Sequence, residues 1–258
     1  MSRVFTAGAG LFACALALAA ACSAEEPVSW APSQQRAGLA GSLDALLGTR
    51  GFKDPERGEA ILVRGEQLQG LLRGTLELRT LGGMREERLV LQSDVRLSDG
   101  AFVALRFLLV RGASRVRGEA QIVDGKLTGS VTQLDAQGAE QPPERFERAW
   151  DPSAQPLSWA LAFYPLLRDA AGPTLLRGRI YHGVEQALAP ELAELAWTLA
   201  GDERTLSVKG ALPGERVARA GVKGGALAWL ELGDGGRALP LPAAEVERMV
   251  AAQPVSLE

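Results

Sequence analysis

Apolar and polar residues alternate along much of the chain between positions 59 and 150. The clearest example is the segment 88–97. One set of alternate residues in this segment is mostly apolar: Leu89, Leu91, Ser93, Val95 and Leu97. A period of two is typical of an antiparallel strand that buries one face. Residues 74–80 repeat the pattern and place Glu77 and Arg79 on the outward side.

Three later segments extend this pattern into a meander. Residues 102–111 are more uniformly apolar, which predicts a strand in the middle of a sheet. Two more strands are predicted over 114–123 and 126–134. Asp124-Gly125 separates them and suits a two-residue hairpin, because Asp and Gly accept positive φ angles. A meander of this length is expected to curl.

Helical spacing is predicted at three places. In the strongest case, residues 156–170, apolar residues recur every three or four positions and Pro156 suits a first helical turn. Shorter helices are predicted from Pro190 to about Ala196 and from Ala243 to Ala251. Further strands are expected over 174–182, 195–199, 204–209 and 226–232.

These elements together predict a β-rich α+β fold. We expect a large curved antiparallel sheet, forming an open or half barrel, with one or more helices packed on it. The helix predicted over 156–170 is expected to fill the concave side of this sheet, since it is rich in large apolar residues.

The N-terminus carries a different pattern. Met1-Ser2-Arg3 precedes an uncharged run from Val4 to Ala21, and Cys22 follows. A basic start, an apolar stretch and small residues before a cleavage point are typical of a secretory signal. Cys14 would leave with such a leader, so Cys22 would be the single cysteine of the mature chain and no internal disulfide could form.

The residues Ala19-Ala20-Ala21-Cys22 resemble the lipobox of bacterial lipoproteins. The resemblance implies that Cys22 is acylated and becomes the new N-terminus, anchoring a periplasm-facing protein in the cell envelope. The serine directly after the cysteine, Ser23, resembles the residue that directs lipoproteins to the outer membrane. The resemblance implies the outer membrane and not retention in the inner membrane. Two alternatives remain open. Ordinary cleavage after Ala21 would give a soluble periplasmic or secreted protein. An uncleaved leader would make a membrane helix, since the run reaches the lower length limit for spanning a bilayer.

The expected organisation follows from this leader. Residues 1–21 form the signal peptide, 22–41 form a flexible tether rich in Pro, Ser and Gln, and 42–258 form a single β-rich domain. The chain has 28 Lys and Arg against 31 Asp and Glu, interspersed and without a basic tract. This balance argues against nucleic acid as a partner.

Candidate catalytic groups are few. His182 is the single histidine, and a hydrolase built on it would need a serine and a carboxylate brought together by folding. Carboxylate pairs such as Glu144/Glu147 and Glu191/Glu194 are expected on solvated surfaces. No zinc-ligand spacing, calcium loop or phosphate-binding loop occurs, so neither a metal nor a cofactor is predicted.

The aromatic residues provide the remaining candidate site. An apolar pocket between sheet and helix is predicted around five of them: Trp159, Phe163, Tyr164, Trp197 and Trp229. The alternative is that they form the main core, because aromatic residues dominate cores. The pocket arrangement resembles the architecture of lipoprotein-localisation carriers and related envelope proteins, which hold acyl chains between a curved sheet and helices.

The sequence therefore favours a non-catalytic, membrane-anchored binding protein for an apolar small molecule or an envelope protein. A structural or assembly lipoprotein that acts through a sheet edge or loop is the second hypothesis. A hydrolase that uses His182 is the third.

Overall fold

The computed structural model describes most of the chain from residue 44 onward. The ranges are 46–80, 87–98, 101–135, 139–150, 155–156, 175–181, 191–200, 203–212, 216–232 and 236–252, with Asp44 and Gln137. The strands are β1 (Gly48–Asp54), β2 (Glu59–Leu68), β3 (Leu71–Thr80), β4 (Glu87–Arg96), β5 (Phe102–Arg111), β6 (Ser114–Val123), β7 (Lys126–Leu134), β8 (Glu144–Ala149), β9 (Gln155–Pro156), β10 (Leu175–Tyr181), β11 (Glu191–Ala200), β12 (Glu203–Leu212), β13 (Arg216–Lys223), β14 (Ala226–Leu232) and β15 (Leu239–Pro240). Helix α1 spans Ala243–Ala252.

The strands form two meandering sheets. A nine-stranded sheet has the order β15-β1-β2-β3-β4-β5-β6-β7-β8 and is antiparallel throughout. A six-stranded sheet has the order β14-β13-β12-β11-β10-β9 and is antiparallel except for the pair β9–β10. Most neighbours are consecutive in sequence, as the predicted chain of hairpins requires.

A short segment joins the two sheets edge to edge. Leu230 on β14 and Ala238 exchange two main-chain hydrogen bonds, with N–O distances of 3.1 and 2.8 Å. The residues after Ala238 form β15, which pairs with β1. The strand order therefore runs from one sheet into the other. Among the described residues, the nine-stranded sheet ends at β8 and does not close into a barrel.

The two faces of the nine-stranded sheet differ in polarity. Residues that pair across antiparallel strands project to the same face, so the register assigns each side chain. The face that we call inner carries buried apolar side chains: Phe52, Ile61, Val63, Leu76, Leu91, Phe107 and Leu127. The opposite, outer face carries mostly polar ones: Arg64, Thr75, Gln92, Arg106, Glu119 and Ser130.

Several described side chains of the inner face are almost fully buried. Phe52, Leu76, Leu91 and Phe107 are each at most 2% exposed. Near β8 the core continues as a cluster of Phe102, Leu105, Ala120 and Leu127, with Ile122, Phe146 and Trp150 packed against it. In the six-stranded sheet, Leu206, Ala220 and Leu230 share one face and are almost fully buried.

Helix α1 packs on the outer face, over β1 and its neighbours. Gly51 permits this close approach, since a Cβ atom there would lie 2.7 Å from Cγ2 of Val246. Val246 is the buried residue of the helix. The helix bounds agree with the predicted Ala243–Ala251. Within the part of the chain that the structure describes, no helix is long and apolar enough to cross a bilayer.

The predicted fold class is confirmed, and several strand bounds agree with the sequence pattern. The Asp124-Gly125 hairpin is confirmed as well, since both residues have positive φ angles, 50° and 73°. The helix predicted from Pro190 to Ala196 is wrong, because Glu191–Ala200 forms strand β11 and pairs on both sides. Pro156 lies in strand β9, and the rest of the predicted helix, 157–170, lies outside the described residues.

Candidate functional site

A row of polar residues crosses the outer face of the nine-stranded sheet in register. Its members are Thr49, Arg64, Thr75, Gln92, Arg106, Glu119, Ser130 and Arg145, one from each strand from β1 to β8. Neighbouring strands lie about 4.8 Å apart, so the row brings together side chains that are far apart in sequence.

A groove opens on the outer face where this row crosses β5 to β8. Its volume is about 410 Å³, and its polar lining consists of Arg106, Glu119, Gln121, Thr128, Ser130 and Arg145. We call it the outer groove. Arg106 and Arg145 stand on opposite sides, three strands apart, with Glu119 and Ser130 between them.

Arg106 lies beside a buried acid, Asp94. Asp94 is 5% exposed and accepts two hydrogen bonds from Arg73, Nε–Oδ1 at 2.8 Å and Nη2–Oδ2 at 2.9 Å. The hydrogen bond with Asp94 raises the pKa of the Arg73 guanidinium. Arg106 lies 3.8 Å from the same carboxylate and donates a hydrogen bond to Oε1 of Gln92 at 3.3 Å. These contacts place its guanidinium at the rim of the groove and leave further N–H donors for a ligand.

Glu119 and Arg145 are the other two charged residues that line the outer groove. Two exposed ion pairs lie on the same strands or next to them. Lys126 pairs with Glu147 and Arg117 pairs with Glu140, each with an N–O distance of 2.5 Å. Within the described residues, Arg145 and Glu119 take part in no such ion pair. An arginine fork matches a carboxylate with two parallel hydrogen bonds. The outer groove can therefore bind a ligand with carboxylates near the two arginines and a basic or hydroxyl group between them.

Trp229, one of the five aromatic residues predicted to line a pocket, lies on strand β14. It is 5% exposed and lies across Gly221, where a Cβ atom would collide with its indole ring. Its Nε1 donates a hydrogen bond to Oε1 of Glu203 at 3.1 Å, and the Arg237 guanidinium lies 4.2 Å from the ring centroid. These contacts give Trp229 a structural role on the polar side of the six-stranded sheet.

Trp197 lies on strand β11 and Trp229 on strand β14. Trp197 pairs with Leu206, whose row continues to Ala220 and Leu230, whereas Trp229 pairs with Gly221 in the adjacent row. The other predicted residues, Trp159, Phe163, Tyr164, His182 and Cys22, lie outside the described residues.

The composition of the outer groove was not predicted from the sequence. Arg106 and Arg145 each resemble an ordinary solvated residue of an alternating strand, and Glu144/Glu147 was assigned to surface. The site becomes visible only when strands β5 to β8 are placed in register. Placing them requires the pairing across the β5–β6 and β6–β7 hairpins and across the loop between β7 and β8. Since 114–123 and 126–134 were predicted as strands joined by a tight turn, the row Glu119–Ser130 could have been derived.

Comparisons with known proteins support the fold alone. The sequence matches no family model and none of the curated proteins. The structure is similar to the crystal structure of a β-barrel-like protein of the domain of unknown function DUF1849 from Brucella abortus. The TM-score is 0.50 at 9% sequence identity, covering 75% of this chain and 94% of that chain. Both are β-rich, and among the described residues the nine-stranded sheet of this chain does not close into a barrel.

Proposed function

We propose that this chain is an exported, lipid-anchored envelope protein whose β-rich domain binds another envelope protein without catalysis. The leader supports export, and Ala19-Ala20-Ala21-Cys22 supports the anchor. A periplasm-facing domain on a tether, residues 22–41, could reach partners in the same membrane or in the layer beside it.

The outer groove is the observation that carries the binding proposal. It is open to solvent and is lined by two guanidinium groups, a carboxylate, an amide and hydroxyl groups. Such a surface suits a polar polypeptide segment. It is a poor fit for an acyl chain, because an acyl chain cannot satisfy these donors and acceptors and would displace their water.

The inner face supports a protein partner over an apolar small molecule. Several of its side chains from β1 to β5 are buried, and Phe52, Leu76 and Phe107 are at most 2% exposed. An apolar ligand would have to displace this packing, which is costly in a close-packed interior. Lipid extraction from the purified protein tests the apolar alternative, and a stoichiometric bound lipid would favour it.

Charge reversal in the outer groove tests the binding proposal. Photo-crosslinking on intact cells, followed by purification of the chain, would identify envelope proteins that contact it. We expect Glu119→Lys to reduce at least one crosslinked partner about tenfold, since like charges across an interface weaken binding by more than 1.4 kcal/mol. Glu56→Lys, at the exposed turn after β1, is the matched control and should leave that partner unchanged.

Two results would contradict the binding proposal. One is a set of crosslinked proteins that is identical in the wild type, Glu119→Lys and Glu56→Lys. The other is a set that changes equally in both variants, since the effect would then come from net charge.

A further inference from the structure

Strand β8 forms the exposed edge of the nine-stranded sheet. It pairs with β7, and among the described residues no strand pairs with its other side. Five of its six residues are exposed, and Phe146, the remaining one, is partly buried against the core cluster below it. An edge strand with free main-chain groups can pair with a further strand.

The register shows which main-chain groups point outward from this edge. The Trp150 amide donates to the Gly125 carbonyl at 3.0 Å, just beyond the paired positions 126 and 149. Hydrogen-bonded and non-hydrogen-bonded pairs alternate along an antiparallel ladder. Residues 144, 146 and 148 therefore bond to β7, while the N–H and C=O groups of Arg145, Glu147 and Ala149 point away from the sheet.

The side chains of β8 have a self-complementary order. The segment reads Glu-Arg-Phe-Glu-Arg from 144 to 148. When two copies run antiparallel with Phe146 opposite Phe146, each Glu144 faces Arg148 of the other copy and each Arg145 faces Glu147. A twofold axis through the Phe146 pair relates the copies, as an isologous interface requires.

We propose that two copies of this chain associate through β8, forming an antiparallel pair centred on Phe146. The outward groups fit this register, since Arg145 and Glu147 of opposite copies would form hydrogen-bonded pairs and Phe146 would occupy a close, non-hydrogen-bonded position. Charged edge strands usually resist pairing. In this pairing each charged side chain of β8 lies opposite a side chain of the other sign. The charges that disfavour pairing with other edge strands therefore favour pairing with a second copy of β8.

The order of charges also selects a single register. Sliding one copy by two residues places Arg145 against Arg145, or Glu147 against Glu147. Like charges directly opposite each other destabilise a pair of strands. The existing contact of Glu147 with Lys126 is compatible with the pairing, because a carboxylate has two oxygens and both side chains of this ion pair are 56% exposed.

The proposed pairing would join the outer grooves of the two copies. Arg145 lies at the β8 side of the outer groove, and Glu147 of the second copy would continue its row. One short strand pair is a small interface, so we expect association to depend on concentration. Anchoring on one membrane would favour it, because tethering raises the effective concentration. The inference does not depend on the outer groove binding a partner.

A charge swap within one chain tests this proposal. We expect Arg145→Glu and Glu147→Arg each to weaken self-association of the full chain at least about tenfold in sedimentation velocity, since each places like charges opposite one another. The double variant, Arg145→Glu with Glu147→Arg, restores opposite charges and should recover dimer formation. Arg115→Glu changes an exposed arginine of β6 and is the control for Arg145→Glu, because the charge change is the same.

Disulfide trapping provides an independent measurement. Phe146→Cys should form a covalent dimer on mild oxidation, because the two Cα atoms would lie about 4.5 Å apart in a non-hydrogen-bonded pair. Glu144→Cys is the matched control, since its two copies would lie about 14 Å apart along the strands. The unsubstituted chain shows what Cys14 and Cys22 contribute.

The charge swap and the disulfide trapping together decide whether β8 pairs with a second copy. Recovery by the charge swap together with selective trapping at 146 would support the β8 pair. A monomer at all concentrations in the wild type, or equal trapping at 144 and 146, would overturn it. If Phe146→Cys fails to fold, as judged by circular dichroism, the charge swap decides alone.

Discussion

Arg79 on β3 donates a hydrogen bond to the main-chain carbonyl of Met249 in helix α1, with an Nη1–O distance of 3.0 Å. Met249 is among the last four residues of the helix, whose carbonyls lack partners within it. Glu77 forms an ion pair with Arg79 and accepts a hydrogen bond from Nε of Arg88 at 2.6 Å. This buried ionic group therefore links the sheet to the C-terminal end of the helix.

Removing the charge of Glu77 should destabilise the domain strongly. Glu77 is 2% exposed and Arg79 is 7% exposed, so Glu77→Gln leaves two guanidinium groups without their shared buried counterion. We expect a loss of about 3–5 kcal/mol in the free energy of unfolding, measured by urea titration. Glu140→Gln breaks an exposed pair with Arg117 and should cost less than about 1 kcal/mol. Equal losses in the two variants would contradict this account.

The contact between Gly51 and α1 predicts a compensating pair of substitutions. Gly51→Ala places a methyl group against Val246 and should destabilise the domain by about 1–3 kcal/mol. Val246→Ala removes the colliding atom, so the double variant should be more stable than the sum of the two single effects predicts. Strict additivity in urea unfolding would show that α1 does not pack over Gly51.

The packing of Trp229 across Gly221 predicts a spectroscopic change. Gly221→Ala should push the indole off the sheet, separating it from Glu203 and exposing it to solvent. We expect a red-shifted tryptophan emission and a loss of about 1–3 kcal/mol in stability. Trp229→Phe identifies the emission of this residue among the five tryptophans. An unchanged spectrum in Gly221→Ala would refute the contact.

The sequence was sufficient to predict the strands that have one clear apolar face. The alternation of Leu89, Leu91 and Val95 with polar residues predicted β4 and its inward side, and Asp124-Gly125 predicted the β6–β7 hairpin. Both signals are local, because a two-residue period and a turn type depend on neighbouring residues alone. The same local signal assigned Glu77 outward. It could not show that Glu77 is almost fully buried there and paired with Arg79.

Cross-strand context explains the element that was predicted wrongly. Leu192, Leu195 and Leu199 have helical spacing, yet Glu191–Ala200 is a strand with partners on both sides. Hydrogen bonding to β10 and β12 outweighs the weak local preference, as is common in sheets. The outer groove escaped prediction for a related reason, since Arg106 and Arg145 become neighbours only when four strands are placed in register.

The proposed anchor predicts a change in location on substitution of one cysteine. Cys22→Ser should move the protein from the membrane fraction to the soluble extracytoplasmic fraction, because a single serine cannot carry the acyl chains. Cys14→Ser lies within the leader and should leave the location unchanged. Membrane association that survives Cys22→Ser would favour an uncleaved leader helix.

Intact-mass analysis of the native protein from the membrane fraction tests the central claim most directly. We expect a chain that begins at Cys22 and carries additional mass equal to that of covalent acyl groups. A chain that retains Met1, or one that begins at Cys22 without any added mass, would contradict the proposal of an exported and lipid-anchored binding protein.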